Sequence, residues 1–494
     1  MKRALFAVLL FALVTGCAMG PNYKRPSMAT PDQYRGVEKP ADAASLADKP
    51  WWDLFQDESL RTLIDEALKN SPNAKVAAWR VEQYRAQAGI ARSPLFPQVD
   101  ASGQWQRGRE SSYVYPPGEK PVAESYEAAG TLSWEIDLWG RLRRLNESGR
   151  AQYLASEEAR RGVMLSLVAD VAIGYYELCE LDQELQVAEN TAKAFQETYD
   201  LFDRRLQGGA ASALQTNSAE GDLGNVAAQV PDLEAEIVQK ENALCVLVGR
   251  PPGAIKRSEL PSTENLALDV PAGLPSALLE RRPDVRETEE ALVAYNANVG
   301  AAKASMFPAL SLTGLFGGVS PEVNQLFSDG KRWTVSAGLF QPLFHGGALW
   351  FQYKSAQAQF EQAKAQYEQA VNNAFAETSS YLVANQKLVE SEKQQRRSVS
   401  AYEEAVKLAN ERYMSGLSSY FEVLLMMEKL YPAQQFLVVY QFRRLQNFVL
   451  LYKALGGGWQ SPDQMRPPEG TQPKEAAPAG SNPGMDKSGQ SPRG

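Results

Sequence analysis

The sequence of 494 residues is poor in the side chains that most often carry out chemistry, with three cysteines and one histidine. A zinc site needs three or four nitrogen or sulfur ligands, and the single histidine, His345, lies in the turn-like string PLFHGG. No G-x-S-x-G, Walker A or H-E-x-x-H pattern is present. The sequence therefore predicts neither an enzyme nor a metal or cofactor site.

Long apolar runs and an excess of basic charge are also lacking. Apolar residues make up 44% of the chain, the mean hydropathy is −0.37, and no run approaches the roughly 18 apolar residues of a spanning helix. These values exclude a helical membrane protein. The chain has 51 basic and 59 acidic side chains, which argues against nucleic acid as a partner, because binding phosphates requires a basic face.

The N-terminus resembles a bacterial lipoprotein signal. Met1-Lys2-Arg3 is a short basic region, residues 4–14 form an apolar core, and Val14-Thr15-Gly16-Cys17 follows at once. Cleavage before Cys17 would leave that cysteine as a lipid-bearing N-terminus. An ordinary signal peptide with a chance cysteine is the alternative. One lipidated residue anchors a chain to a membrane leaflet without carrying it across.

The chain contains one unit written twice. Residues 67–103 align without a gap on residues 278–314 at an offset of 211, and residues 204–212 align on 411–419 at an offset of 207. We therefore expect a duplicated fold. The expected boundaries are a signal peptide at 1–16, a lipidated segment that forms part of an equatorial belt at 17–70, a first repeat at 71–249, an inter-repeat linker at 250–277, a second repeat at 278–455 and a disordered tail at 456–494.

Each repeat is expected to contain a very long helix, over about 142–207 and 347–414. In the first helix, apolar side chains recur every seven residues from Val171 to Leu206, which is the spacing of a coiled-coil seam. Such a helix is a rod of roughly 100 Å, which is far longer than a globular core can bury. Pro231 and Pro432 fall within the returning helices and should kink or break them.

The ends of the rods carry turn signals. Gly209 and Gly416 can adopt the left-handed conformation that closes a helix. Ser212 and Ser419, each followed three residues later by Gln215 or Glu422, match the capping box that opens the next helix. Both hairpins are therefore expected to turn tightly. Cys179 and Cys245 fall on antiparallel partner helices about one turn apart, so either a disulfide or two buried thiols can form.

Four segments alternate with a period of two, at 98–106, 128–138, 309–316 and 333–340. Each has about the length of a tilted transmembrane strand, and stretches 107–127 and 317–332 are expected to be outward-facing loops. Four strands cannot close a barrel, whereas three copies would give twelve strands and room for water. The side chains expected to face the lumen are Asp100, Gln104, Glu135 and Asp137.

Several strings closely resemble the TolC-like outer-membrane efflux factors, in particular the OprM-type lipoprotein branch. They are PWWDLFQDESLRTLI (50–64), LPSALLERRPDV (274–285), VGAAKASMFPALSLTG (299–314), PLFHGG (342–347) and RYMSGLSSYFEVL (412–424). The resemblance implies a mixed α and β membrane protein, a homotrimer with a twelve-stranded β-barrel in the outer membrane, four strands per protomer, continued by a helical tunnel in the periplasm. It also implies a passive exit duct that docks on a periplasmic adaptor and an inner-membrane transporter, often of the resistance-nodulation-division type, and exports drugs or other small toxic molecules.

The resemblance also implies where the tunnel is gated. In OprM-type members an acidic ring constricts the tunnel nine residues after the turn glycine, and here that position is Leu425. Glu422 and Glu428 lie one turn to either side, and Glu422 has a capping role as its alternative. We therefore expect Phe421 and Leu425 to narrow the periplasmic end of the tunnel, with Glu422 and Glu428 as further gate candidates.

Adaptor docking is expected at the tips of the two helical hairpins. The tip residues that match between the repeats are Arg205, Gly209 and Ser212 in the first and Arg412, Gly416 and Ser419 in the second. Helix capping explains the glycines and serines by itself, whereas it explains the paired arginines less well. Two other classes compete with a drug duct: a duct for protein secretion, and a lipid-anchored periplasmic coiled-coil scaffold, which would leave the four alternating strands unexplained.

Overall fold

The computed structural model describes residues 18–35, 45–109, 111, 122–263 and 271–457. Its helices are α1 (Trp51–Leu54), α2 (Glu58–Asn70), α3 (Pro72–Arg92), α4 (Arg141–Gln207), α5 (Ala213–Ala227), α6 (Gln229–Val248), α7 (Leu278–Arg281), α8 (Pro283–Ala304), α9 (Ala348–Met414) and α10 (Tyr420–Ala454). Its strands are β1 (Gln98–Arg109), β2 (Val122–Ile136), β3 (Ala309–Ser320) and β4 (Lys331–Phe340). The order helix, two strands, long helix and returning helix occurs twice, which confirms the predicted duplication.

The strands form one antiparallel sheet in the order β1-β2-β3-β4. All four are longer than the predicted segments, because the ladder of backbone hydrogen bonds continues past the alternating residues. Arg109 pairs with Val122 at the far end of the first hairpin, so the predicted loop at 107–127 shortens to residues 110–121, which the structure describes only at Ser111. The predicted loop at 317–332 shortens to 321–330.

The two longest helices, α4 and α9, have 67 residues each. Each begins after a glycine with positive φ, Gly140 at 77° and Gly347 at 85°, a conformation that residues with a Cβ rarely adopt. Only α4, among the described residues, has an 18-residue window apolar enough to cross a membrane, and 61% of that window is buried inside the protomer. The helix therefore owes its apolar character to packing against its neighbours.

The predicted seven-residue seam is one of two that run side by side along α4. Val171 and Leu178 are fully buried, as the pattern predicts. Towards the tip, however, the deepest burial passes to a second set, Leu181, Ala188, Phe195 and Phe202. This set also recurs every seven residues and lies three positions beyond the predicted one. Together the two sets form the a and d positions of a heptad.

The two prolines act differently. Pro231 lies in the first turn of α6, directly after the break at Ala228 that separates α6 from α5, so the predicted break is confirmed there. A proline is tolerated in a first turn because the missing N–H has no partner in the helix. Pro432 lies inside α10, which continues unbroken through it.

Cys179 and Cys245 are free thiols, and both are buried. Each sulfur donates to a backbone carbonyl instead, Cys179 to Ser258 at 3.3 Å and Cys245 to Gly253 at 3.2 Å. The alternative of a disulfide is therefore wrong. Burial, together with the nearby carboxylates of Asp182 and Asp57, raises the pKa of the Cys179 thiol to about 12, so the thiolate is disfavoured.

The segment 250–263 connects the repeats by lying against helices of the first one. Arg257 pairs with Asp182 of α4 (Nη2 to Oδ1, 2.8 Å) and with Glu241 of α6 (Nη1 to Oε1, 2.5 Å). Its guanidinium thereby joins the two antiparallel helices of the first hairpin. The described part of the linker at 250–263 therefore packs on the helices and is not a free tether.

The far end of this segment contacts the second repeat through Glu392 of α9, whose side chain is 2% exposed. Its carboxylate accepts hydrogen bonds from Arg444 Nη1 at 2.6 Å, Arg396 Nη2 at 2.7 Å and Thr263 Oγ1 at 2.7 Å. Burial alone would raise the pKa of Glu392, but the hydrogen bonds from these donors outweigh burial and lower it. The buried carboxylate therefore stays charged.

We predict that Arg444→Met lowers the free energy of unfolding of the helical region by about 3–5 kcal/mol, because it removes the buried partner of a buried charge. Arg396→Met is the matched control. Arg396 bonds the same carboxylate but is 41% exposed, and its loss should cost no more than about 1 kcal/mol. Thermal unfolding followed by circular dichroism measures both, and equal effects would contradict the prediction.

The difference between the wild type and Arg444→Met should depend on pH. Folding lowers the pKa of Glu392, so its charged carboxylate contributes to stability at pH values above its pKa in the unfolded chain. This contribution to stability is lost as the pH falls through the lower pKa of the folded protein. The stability difference is therefore expected to be full at neutral pH and to shrink in acid below the ordinary range of glutamate.

Candidate functional site

The four-stranded sheet has one apolar and one polar face, because residues paired across an antiparallel ladder place their side chains on the same side. Val99 pairs with Leu132, Leu132 with Gly314, and Gly314 with Val335. One position along the ladder, Asp100 pairs with Thr131. The row of Val99 is therefore apolar, and the row of Asp100 faces the opposite side.

The apolar face is uncovered in the protomer. Val99, Phe316, Trp333, Val335 and Leu339 are all exposed, Val335 at 78%. A continuous apolar face of this size is not stable in water and marks a surface that meets lipid or another protein. At its outer end, Trp105 Nε1 donates to Glu124 Oε1 at 2.8 Å, the arrangement of an aromatic side chain at a membrane interface, with an apolar ring and a satisfied polar tip.

The opposite face carries the polar side chains. Asp100 and Gln104 lie on it, as predicted for the lumen, and Gln104 is paired with Glu127 of β2. Glu127 also pairs with Arg332 of β4 across the sheet. Towards the helical end of the sheet, Thr313 and Ser336 share a hydrogen bond of 2.6 Å. This face can therefore line water.

The other two predicted lumen residues belong to the junction between sheet and helix. Glu135 lies near the end of β2 and pairs with Arg141 at 2.6 Å. Asp137 was predicted to lie in the strand, but β2 ends at Ile136. Asp137 instead accepts the backbone N–H of Leu142 and Arg143, at 3.1 and 2.9 Å. It binds the unsatisfied N–H groups at the start of α4, which is why the alternation stops there.

The sheet has two open edges, because β1 and β4 each have one neighbouring strand within the described protomer. An open edge exposes a row of unpaired N–H and C=O groups, each of which costs several kcal/mol in hydrocarbon. Closure requires β1 of one copy to pair with β4 of another. Three copies supply twelve strands, which is enough to surround a water-filled lumen.

The first hairpin tip turns between α4 and α5. Gly209 has a φ of 74°. Ser212 Oγ accepts the backbone N–H of Gln215 at 3.4 Å, and Gln215 Oε1 accepts the backbone N–H of Ser212 at 3.0 Å. The predicted capping box is therefore confirmed in the first repeat.

The second hairpin tip turns between α9 and α10 with Gly416 at a φ of 70°. Ser419 makes no side-chain capping bond at the start of α10, so the capping box predicted for Ser419 and Glu422 is wrong. The carboxylate of Glu422 lies instead 3.6 Å from Arg412 Nε. A cation across the turn thus replaces the backbone N–H as the partner of this glutamate.

Tyr420 fastens the second hairpin to the first. Its hydroxyl shares a hydrogen bond of 2.8 Å with Thr198 Oγ1, and its ring packs edge-on against Phe202 and Tyr413, with centroids 5.3 and 4.9 Å apart. The guanidinium of Arg205 lies 5.4 Å from the ring centroid of Tyr413. These aromatic contacts were not predicted from the sequence, in which their one signal is the pair of tyrosines that flanks the turn glycine.

The four gate candidates lie in the first turns of α10. Phe421, Glu422, Leu425 and Glu428 are all exposed in the protomer, whereas Val423 and Leu424 between them are buried. The four therefore share the side of α10 that faces away from the protomer core, and two of them are large apolar side chains.

Cys17 lies outside the described residues, and the segment that follows it is bonded to the start of α4. Met19 N donates to Trp139 O at 2.9 Å, and Arg144 Nη2 donates to Asn22 Oδ1 at 2.8 Å. Trp139 and Arg144 flank the start of α4. The chain therefore enters the described structure at the junction between the sheet and the long helices.

The sheet and the helical hairpins together define a class of protein, a duct that spans a membrane as a shared β-barrel and extends from it as helices. The described residues contain no group of three His, Cys, Asp or Glu side chains that could hold a metal ion.

Comparison with known proteins identifies the family. The family model for outer membrane efflux proteins matches residues 63–250 and 274–457. The antibiotic efflux pump outer membrane protein ArpC of Pseudomonas putida is 36% identical over 469 residues, which cover 93% of this chain and 96% of ArpC. The cation efflux system protein CusC of Escherichia coli strain CFT073 is 32% identical over 455 residues, 90% of this chain and 97% of CusC. The crystal structure of the Campylobacter jejuni CmeC outer membrane channel superposes with a TM-score of 0.84 at 26% identity, covering 90% of this chain and 95% of CmeC.

The chain belongs to the outer membrane efflux protein family. Its fold is that of the TolC-like channels, a trimeric β-barrel of four strands per protomer continued by a barrel of long helices. It is an outer-membrane exit duct, with the sheet in the membrane and the helical hairpins in the periplasm. The family and fold expected from the sequence are thereby confirmed.

We predict that Val335→Lys disrupts the barrel, since a lysine on the lipid face near mid-strand costs about 2–4 kcal/mol. Ser336→Lys on the neighbouring, lumen-side position of the same strand is the matched control. It should leave the amount of heat-resistant trimer in outer-membrane fractions unchanged, whereas Val335→Lys should lower it severalfold. Equal yields of the two variants would show that the faces are assigned wrongly.

Proposed function

We propose that this duct passively conducts drugs or other small toxic compounds out of the cell, as the last component of a tripartite pump with a periplasmic adaptor and an inner-membrane transporter of the resistance-nodulation-division type. The similarity to ArpC, whose name specifies antibiotic efflux, at 36% identity supports this cargo class. The duct itself acts as a channel and not as an enzyme, with no cofactor other than a lipid on Cys17.

One observation carries the proposal, namely that the face of the sheet opposite the apolar one is lined by small and charged polar side chains. Asp100, Gln104 and Glu127 lie on that face, together with Thr313 and Ser336. A lumen of this kind can pass hydrated solutes without a dedicated binding site, so selection of the cargo is left to the transporter.

The lipid anchor is the second part of the proposal. Residues 19 to 22 are bonded to the junction of sheet and helices, through Trp139 and Arg144. Cys17 precedes Met19 by two residues, and two residues span at most about 7 Å. A diacylglyceryl group on Cys17 would therefore lie close to the inner leaflet of the outer membrane. Mass spectrometry of the mature N-terminus tests this, and an unmodified Cys17 would contradict it.

The periplasmic gate is the third part. Phe421 and Leu425 lie on the free side of α10, and the nearby carboxylate of Glu422 is engaged by Arg412. Because the guanidinium of Arg412 balances its charge, Glu422 adds less to the negative electrostatic potential at the tip than an unpaired carboxylate would. We infer that the closed tunnel is narrowed mainly by apolar side chains, which obstruct water and ions by excluding them.

We predict that Phe421→Ala and Leu425→Ala each raise the single-channel conductance of the purified trimer in planar bilayers, and that the double variant raises it severalfold. Phe436→Ala is the matched control, since Phe436 is an exposed aromatic on the same helix about four turns beyond Phe421. Unchanged conductance in the double variant would reject the gate. A trimer that conducts no ions at all, even in the double variant, would reject the duct.

The hairpin tips are the fourth part, as the docking site of the adaptor. Arg205 and Arg412 are exposed at the tips, next to apolar side chains that are also exposed, Met414 and Leu417. Exposed arginines beside exposed apolar groups are typical of protein interfaces. Within the protomer, Arg205 lies over the ring of Tyr413 and Arg412 pairs with Glu422. These contacts hold the two guanidinium groups at the tip.

We predict that Arg205→Glu and Arg412→Glu together abolish co-purification of the adaptor from chemically cross-linked cells, because two attractive charges become repulsive. Glu422→Gln is the control, since it removes the ion pair of Arg412 without changing the arginine. It should leave adaptor capture intact. Capture that survives the double substitution would exclude the arginines from docking, and loss of capture in the control would show that the ion pair alone accounts for the effect.

A further inference from the structure

The internal repeat also indicates which residues meet at the contact between protomers. The bounds of α9 lie 207 residues after those of α4, at both ends of the helix. The start of α8 at Pro283 lies 211 residues after the start of α3 at Pro72. By these offsets, each residue of α4 corresponds to a residue of α9, and each residue of α8 corresponds to a residue of α3.

Helices α4 and α8 pack against each other within the protomer. Gly300 of α8 lies under the backbone of Met19 and the side chain of Arg144, since a Cβ at Gly300 would be 2.6 Å from Met19 O and 3.0 Å from Arg144 Nε. Farther along, Arg286 pairs with Glu158 at 3.1 Å. On α4 the residues turned to α8 follow a spacing of three and four, and Arg144, Ser148, Ala151 and Glu158 among them are buried.

The corresponding positions on α9 are all exposed. They are Phe351, Ser355, Ala358, Gln362, Ala365, Gln369 and Asn372. Phe351, the counterpart of the buried Arg144, is 68% exposed. Helix α9 therefore has a face that its repeat partner buries, and within the described protomer nothing covers it.

The corresponding face of α3 is also uncovered. It carries Lys75, Trp79, Glu82, Ala86 and Gly89, all exposed, with Trp79 at 74%. Gly89 is the counterpart of Gly300, and a Cβ added to Gly89 would meet no atom within 4 Å. Neither the Arg144 side chain nor the Met19 backbone that covers Gly300 has an equivalent at Gly89 in the described protomer.

The chain itself determines which molecule covers these faces. Helix α3 leads into β1 and helix α9 follows β4, and β1 and β4 are the two open edges of the sheet. Closure of the barrel places β4 of one copy beside β1 of the next. The uncovered faces of α9 and α3 continue these edges, so the same neighbour must bring them together.

We propose that Phe351 of one protomer packs over Gly89 of the next, and that Trp79 of that neighbour packs against the small side chains of α9 around Ala358 and Ala365. The contact repeats the packing of Arg144 over Gly300 inside the protomer. The inference rests on the trimer, and it assigns residues to the interface between its helices.

The surroundings of Gly89 suit an aromatic ring. A groove of about 580 Å³ lies beside it, lined by Arg85, Ala88, Arg92, Asn146 and Arg150. Guanidinium groups pack favourably against the face of an aromatic ring. On the opposite side of the contact, the exposed face of α9 carries alanine, serine and glutamine side chains, which leave space for the indole of Trp79.

The test is a pair of cysteines in the full-length protein, Gly89→Cys with Phe351→Cys, oxidised in membranes and separated without reductant. Cys179 and Cys245 do not interfere because both are buried. Most protomers are expected to run as covalent dimers and trimers. The control pair, Gly89→Cys with Gln352→Cys, moves one thiol about 100° around α9 and should give none above the unoxidised sample. Equal cross-linking of the two pairs, or none in either, would overturn the proposal.

A size exchange tests the same contact without oxidation. Gly89→Leu fills the open space, which the protomer tolerates because no atom of its own lies there, and should lower the yield of heat-resistant trimer severalfold. Adding Phe351→Ala should restore it. A trimer that is unaffected by Gly89→Leu would overturn the proposal. The proposal would also be overturned if the cysteine pair fails to cross-link and Arg92→Gln releases a bound anionic lipid. The groove beside Gly89 would then hold a lipid phosphate.

Discussion

The whole architecture depends on the backbone groups at the outer edges of β1 and β4. In water such an edge is satisfied by solvent, but in hydrocarbon every unpaired N–H and C=O is costly. A sheet of four strands with an exposed apolar face therefore cannot remain a single copy in the membrane. Closure with sister sheets pairs the edges, turns the apolar face to lipid and encloses the polar face, so that membrane insertion and the formation of the lumen are one event.

The duplication extends this requirement into the periplasm. The two long helices start after glycines at equivalent positions, so each strand pair directs its helix in the same way. The inter-repeat linker then fixes the two hairpins to each other, with Arg257 on the first repeat and Thr263 on the buried Glu392 of the second. A helical wall built from two similar halves has to leave one pair of faces uncovered in each copy, and those faces become the contacts between copies.

The sequence was sufficient for the features that follow a period. The two-residue alternation located all four strands and the faces of Asp100 and Gln104, and the seven-residue spacing identified the rods. It was insufficient where one polar side chain had two partners to choose from. Asp137 accepts hydrogen bonds from the start of α4, although it was predicted to face the lumen. Glu422 pairs with Arg412, although it was predicted to cap the helix. Such choices are decided by tertiary neighbours that are distant or on the other side of a turn, which a local pattern does not contain.

The gate proposed at the tip of the second hairpin would close the duct without a ring of acidic side chains. Leu425 and Phe421 point away from the core, while Tyr420 beside them is held by Thr198 and Phe202 of the first hairpin. The same short stretch of α10 thus carries both the proposed obstruction and its attachment. An apolar constriction is opened by widening and not by neutralising charge, so the force that opens the proposed gate would act on this attachment. The proposed docking of the adaptor at the hairpin tips would place that force beside it.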